Sequence, residues 1–160
     1  MPIGLTVYGK DKLVQGFRTV AAQLTSVVTE EMRHQMTMLA DYVRRTKLSG
    51  NPLNRRSGRL SRSISGQASA QGHKVIGVIG SKGVPYAHVH ETGGTFDIPA
   101  HTRQITMVFG RPVVPHEINV SAHSATFPQR AFLKPSLVEK ENDIREALRV
   151  RTLNFIEDST

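Results

Sequence analysis

Residues 10–48, KDKLVQGFRTVAAQLTSVVTEEMRHQMTMLADYVRRTKL, decide the fold. Apolar side chains recur at Leu13, Phe17, Val20, Leu24 and Val27, and then at Val28, Met32, Met36, Leu39 and Val43. The intervals are threes and fours, the period of a helix with one apolar face and not the alternation of a strand. Asp11 stands at the start, where an N-cap or first-turn acid meets the positive end of the helix dipole. The stripe slips by one position at Val27–Val28, so a bend or a split is expected there. At 1.5 Å per residue a helix of roughly 36 residues is on the order of 54 Å long. That is more than a globule of 160 residues can cover. Either part of the helix packs on another subunit, or there are two helices.

Working outward from the helix, Ser49-Gly50-Asn51-Pro52 supplies the stop signals. Residues 49–63 are rich in Ser, Asn, Gly and Arg and read as a long basic loop or arm with a turn at Ser57-Gly58. From Ile64 the chain reads as extended, and Lys74–Gly80 is a strand by its β-branched content. Tyr86–His90 reads as a strand or a short helical turn, ended by Gly93-Gly94. Phe96–Ile98 and Gln104–Phe109 are candidate strands. Arg111-Pro112 and Val114-Pro115-His116 punctuate a loop before an extended Ile118–Val120. Pro135 suits the first turn of a last helix over 135–156, carried by Leu137, Ile144, Ala147 and Leu148. Its acids Glu139, Glu141 and Asp143 come early and Arg149 and Arg151 late, as the helix dipole favours. Residues 3–9 read as a short extended lead-in. The expected architecture is one α+β domain over 1–160: a long N-terminal helix, bent or split, packed on an antiparallel β-sheet drawn from 64–130, with a C-terminal helix and a long basic loop.

Composition narrows the function. The chain carries 21 Lys and Arg against 13 Asp and Glu, a formal charge of +8, and it has no cysteine. Disulfide scaffolds, thiolate nucleophiles and cysteine-bearing zinc sites are excluded. No apolar run approaches the roughly 20 residues of a membrane span, and the N-terminus lacks a signal-peptide layout. The expectation is a soluble product of the cytoplasm with no membrane partner.

The charge is concentrated. Between Tyr42 and His90 there is no acid, yet Arg44, Arg45, Lys47, Arg55, Arg56, Arg59, Arg62, Lys74 and Lys82 lie there. Such a block attracts phosphates or an acidic protein face. Arg44, Arg45, Lys47, Arg55, Arg56, Arg59 and Arg62 are the candidate contacts. The block is nearly free of aromatic residues, so any nucleic-acid contact is to backbone phosphates and not by base stacking. The alternative is a solvated loop.

Sites for chemistry are sparse. On a strand, His88 and His90 would share a face and could reach one metal, with His101, His116 or His123 as a third ligand. The blander reading is a set of partly exposed histidines. There is no Gly-x-Ser-x-Gly elbow. The central acids Glu91, Asp97 and Glu117 form no evident catalytic pair, and Gly77–Gly83 lacks the phosphate-loop spacing. No catalytic residue, metal or cofactor is assigned.

Four segments stand in a particular order: Ser57-Gly58-Arg59-Leu60-Ser61-Arg62-Ser63-Ile64, Val75–Gly80, Tyr86-Ala87-His88-Val89-His90-Glu91-Thr92-Gly93-Gly94, and Pro128-Gln129-Arg130-Ala131-Phe132-Leu133-Lys134-Pro135-Ser136-Leu137. This order resembles the tailed-bacteriophage neck and tail-completion proteins, the head–tail joining and virion morphogenesis group. In that group a small-Gly-x-Leu-x-x-Ser-Ile turn leads into a strand, a Tyr-Ala-x-x-x-Glu-x-Gly segment follows, and Arg-x-Phe-Leu-x-Pro-x-Leu opens the last helix. Ile98-Pro99-Ala100 is similar to a Mu-like variant, with His101 where that variant carries Arg. The resemblance covers about residues 10–155. It implies a non-enzymatic virion protein of the neck or tail end, made in the host cytoplasm, that completes the tail or joins it to the head. It also implies a homo-oligomeric ring, six-fold by preference, meeting other neck, tail-tube or head-connector proteins and in reach of genomic DNA. Leu60, Ile64, Tyr86, Glu91, Gly93, Gly94, Phe132, Leu133 and Pro135 are then core or subunit-packing residues. The competing expectations are a basic protein that grips duplex phosphates outside a particle, and a metal-dependent hydrolase using His88, His90 and Glu91.

Overall fold

The apolar stripe forms one helix, α1, Lys10–Tyr42, 33 residues long, with no break at Val27–Val28. It runs on into a π-helical turn, Val43–Lys47, closed by Leu48 N–H donating to the Val43 carbonyl at 3.1 Å. A computed structural model describes residues 10–50, 52–54, 56–72 and 74–158. The expected lead-in at residues 3–9 and the candidate contact Arg55 lie outside the described residues. After α1 come the short helix α2 (Arg59–Ser63), strands β1 (Ile64–Gln71) and β2 (Lys74–Ser81), and helix α3 (Tyr86–Thr92). Strands β3 (Gly94–Ile98), β4 (His101–Val108), β5 (Arg111–Val120) and β6 (His123–Phe127) follow, and helix α4 (Leu133–Asp158) ends the described chain. The class is α+β, as expected.

The chain divides into two compact units, one of Met1–Val84 with Phe132–Thr160 and the other of Pro85–Ala131. The described strands do not form one sheet. The six strands form three two-stranded antiparallel pairs, β1–β2, β3–β6 and β4–β5.

The first unit is built around the second half of α1. Met36 and Leu39 are buried with Ile144 of α4, and Met32, Tyr42, Ile79 and Leu148 pack around them. Tyr42 donates to Glu139 at 2.7 Å, while the earlier Met36 and Leu39 share the core with the later Ile144, so α1 and α4 run antiparallel. On the other side, β1 and β2 lie on α1 through small residues. Ile64, Gly66 and Ala68 alternate inward, opposite Ser81, Ile79 and Gly77. At Gly66 a Cβ would collide with the Met36 carbonyl oxygen, and at Gly77 it would come within 2.7 Å of Met32 Sδ. Glycine at these two positions sets how closely the hairpin approaches the helix.

The second unit holds α3 and two strand pairs. In β3–β6, Phe96 and Phe127 meet at a tilt, with ring centroids 6.1 Å apart. The β4–β5 pair is a long ribbon. Residues 111–116, expected as a loop, belong to its second strand. The register runs from His101↔Val120 to Ile105↔His116, then resumes at Met107↔Pro112, so Val113, Val114 and Pro115 oppose Thr106 alone. Prolines are tolerated because a two-stranded ribbon consists of edges, and a bulge absorbs the missing donor.

Candidate interaction surfaces

Building from the basic block upward, the cations expected to act together divide by partner. Arg44 leaves the π-helical turn and donates to the carbonyls of Ser61 and Ile64, and its Nη1 lies 2.6 Å from the Asp41 carboxylate. It ties α1 to the start of β1. Lys47 Nζ lies 2.7 Å from Glu139 on α4. Hydrogen bonding to Glu139 holds the Lys47 amine above its ordinary range. The same bond, seconded by the Tyr42 hydroxyl, pulls the Glu139 carboxyl below the usual carboxylate range. Arg44 and Lys47 are therefore bonded within the fold and are not free contact residues. Asp41 and Glu139, both outside the acid-free interval, neutralise two of its charges.

Arg59 and Arg62 sit on α2, where the sequence reading placed a loop. Gly58 begins that helix with φ 72, a left-handed conformation suited to glycine, and the Arg62 N–H donates to its carbonyl at 3.0 Å. Arg59 Nη2 donates to the Gly83 carbonyl at 3.2 Å, which ties its guanidinium to a neutral group. Arg45, Arg56 and Arg62 are exposed and make no ion pair among the described residues. Leu60 is half-buried and Ile64 fully buried, as inward packing residues should be. The Ser63 and Ser81 hydroxyls, 2.7 Å apart, close the join between α2 and β2.

The third and fourth resemblance segments meet. His90 and Glu91 present backbone carbonyls to the Arg130 N–H, at 2.8 Å, and to the Gln129 side-chain amide, at 3.0 Å. Gly93 ends α3 with φ 63, and a Cβ there would lie 2.7 Å from the Gln129 nitrogen. Gly94 opens β3 opposite Phe127. Tyr86 makes an edge-on contact with His90, centroids 6.0 Å apart, and is 39% exposed, so it is not a core residue. Phe132 is buried, and Leu133 and Pro135 are half-buried in the first turn of α4. Ser136 donates to the Phe132 carbonyl at 2.6 Å.

The metal expectation rested on a strand. Tyr86–Thr92 is a helix, where residues two apart point to opposite sides, so His88 and His90 do not converge. Among the described residues no group of three His, Cys, Asp or Glu is placed to hold a metal ion. A groove of about 440 Å³ lies between α1 and α4, over Met38, Leu39 and Ile144. Its rim charges are largely paired, Lys140 with Asp143 at 2.8 Å and Asp41 with Arg44.

Two apolar surfaces escaped the sequence reading in part or whole. Every residue from Asp11 to Gln23 is exposed, including Leu13, Val14, Phe17 and Val20. The stripe had signalled surplus helix, though not which end. The ribbon β4–β5 leaves Met107, Phe109 and Val114 exposed, and this was hidden because its second strand looked like a loop. No described helix is long and apolar enough to cross a membrane. A scan against family models, a search of curated proteins and a search of solved structures each return no match to this chain.

Proposed function

We propose that the chain is a structural, non-enzymatic subunit that assembles into a ring in the neck of a tailed-bacteriophage virion, completing the tail or joining it to the head. One observation carries the assembly part of this reading. The first three turns of a 33-residue helix present Leu13, Phe17 and Val20 on one face, and all three are exposed. An apolar face at helical spacing marks a surface meant to be covered. The ordered segments at 57–64, 75–80, 86–94 and 128–137 supply the virion part by resemblance. The packing of the last two against each other suits residues retained for structure.

Native mass by light scattering, across concentration and salt, tests the proposal. A discrete oligomer well above the 17.7 kDa chain is expected. A monomer at every concentration, together with absence of the protein from purified virions, overturns it.

A second reading has its own observation. Arg45, Arg56 and Arg62 are exposed cations with no carboxylate partner among the described residues. As a phosphate-gripping set they would give duplex DNA binding whose log affinity falls with log salt, each contact contributing a slope of about −0.9. Replacing all three with Gln should then flatten the slope by about 2.7. Affinity independent of salt excludes this reading.

A further inference from the structure

The turn that joins β4 to β5 is Phe109-Gly110, enclosed by the Val108↔Arg111 pair. Both central residues have positive φ, 48° at Phe109 and 77° at Gly110. A two-residue turn of this kind matches the twist of a hairpin and is normally occupied by Asn-Gly, Asp-Gly or Gly-Gly. A bulky aromatic at its first position is sterically disfavoured. Phe109 is also 101% exposed, so the fold obtains no packing from it in return. Its apolar neighbours Met107 and Val114 are 62% and 83% exposed. Local conformation and burial both argue against phenylalanine here, which leaves contact as its use.

A matching surface exists on the same chain. Leu13, Val14, Phe17 and Val20 on α1 are also exposed, Phe17 by 68%. Patches of about 300–600 Å² mark contact sites on monomers. Charges of both signs flank each one, Asp11, Lys12 and Arg18 on α1 and Arg103, Arg111 and Glu117 on the ribbon. None of these makes an ion pair among the described residues.

We propose that the tip of the β4–β5 ribbon, with Phe109 as its anchor, docks on the first turns of α1 in a second copy of the chain. This rests on the ring reading and names its interface. The contact is heterologous, since each copy offers one tip and one helix face. Repeated head to tail, such contacts close into a ring, whereas helix-to-helix pairing of two α1 segments would stop at a two-fold dimer. The docking also gives the ribbon a third packing partner, which a two-stranded hairpin needs for independent stability.

The chain has no cysteine, so introduced thiols report this contact cleanly. The double variant Phe17→Cys/Phe109→Cys, oxidised at a concentration where light scattering finds the oligomer, should give a covalent ladder through dimer, trimer and beyond. Each single variant should give none. Phe109→Asn, which favours the turn and leaves the monomer folded, should weaken assembly at least tenfold. Dimers from Phe17→Cys alone would show α1 pairing with α1 and overturn the proposal. An oligomer in which the double variant does not cross-link would overturn the docking and leave the ring standing. A monomer under all conditions would remove both.

Discussion

The two halves of α1 share one helix and one apolar period, yet they differ in what covers them. From Met36 to Val43 the stripe is buried against α4 and the β1–β2 hairpin, with Leu39 at 2% exposure. From Leu13 to Val20 the same stripe stands in solvent, with Phe17 at 68%. Periodicity thus reports that a face is apolar and says nothing of its partner. The partner is decided by length. α4 and the hairpin together cover about half of a 33-residue helix, and the remainder stands exposed.

The most severe way to break this contrast is to cut the same side chain from each half. Leu39→Ala removes buried methyl groups from a core with little freedom to collapse and should cost about 3 kcal/mol. For a chain of this size that lowers the melting temperature by roughly 10 °C. Leu13→Ala should stay within about 0.5 kcal/mol in the monomer, and its effect should appear instead as a lower native mass. Thermal melts at low concentration, paired with light scattering at high concentration, separate the two. Equal destabilisation by both substitutions would show that the first turns of α1 are packed after all.

Gly66 sharpens the covered half. The obstacle to a side chain there is the Met36 backbone, which cannot rotate away. Gly66→Ala should therefore cost about 2–3 kcal/mol by overpacking, although alanine suits a strand conformation better than glycine does. Gly80, whose Cβ would meet nothing within 4 Å, is the control, and Gly80→Ala should leave the melt unchanged or slightly raised. If both substitutions behave alike, the glycines matter only for chain flexibility and not for the approach of strand to helix.

Two neighbouring arginines give a smaller effect of the same kind. Arg44 donates to two backbone carbonyls and to Asp41, while Arg45 points to solvent. Arg44→Gln should cost about 2 kcal/mol, the scale of lost hydrogen bonds to a charged group. Arg45→Gln should cost less than about 0.5 kcal/mol. The reverse holds for DNA, where only the Arg45 substitution should change a salt-dependent affinity. Urea titration and a binding series on the same pair of variants check both halves of the statement.

These residues show what sequence could and could not disclose. The long helix, the β2 strand and α4 were legible because each carries a repeating signal over many residues, and the surplus of helix surface followed from length alone. The division of labour among the basic residues was not. Arg44 and Arg45 are adjacent and chemically identical, and only the tertiary placement of Asp41, Ser61 and Ile64 separates them. Helix α2 was obscured because five residues are too short to establish a period, and the seven residues of α3 left a helical turn and a strand as equal alternatives. The β5 strand was obscured by Pro112 and Pro115, which signal a break in a central strand and are harmless in a ribbon with free edges. The candidate contact surfaces suffered most, because Phe109 in a hairpin turn contradicts the local rule by which turns are recognised.

The smallest expected effect concerns the link between the covered half of α1 and α4. Glu139 accepts from Lys47 and from Tyr42, each at 2.7 Å, and these bonds hold its folded pKa below the unfolded value. A depressed carboxyl contributes stability that is fully present above its unfolded pKa and is lost as pH falls through the folded one. Lys47 has the opposite sign, its contribution disappearing as pH rises through its raised value, so between the two the link is intact. Glu139→Gln should therefore melt slightly below the parent chain at neutral pH. The gap should close in acid, below the ordinary carboxylate range, where the parent has itself lost the charge. Because the pair is partly open to water, added salt should shrink the gap at neutral pH as well. The expected pattern is two melting curves that converge at low pH and at high salt. A gap that persists in acid would mean that Glu139 holds α1 to α4 through packing and not through its charge.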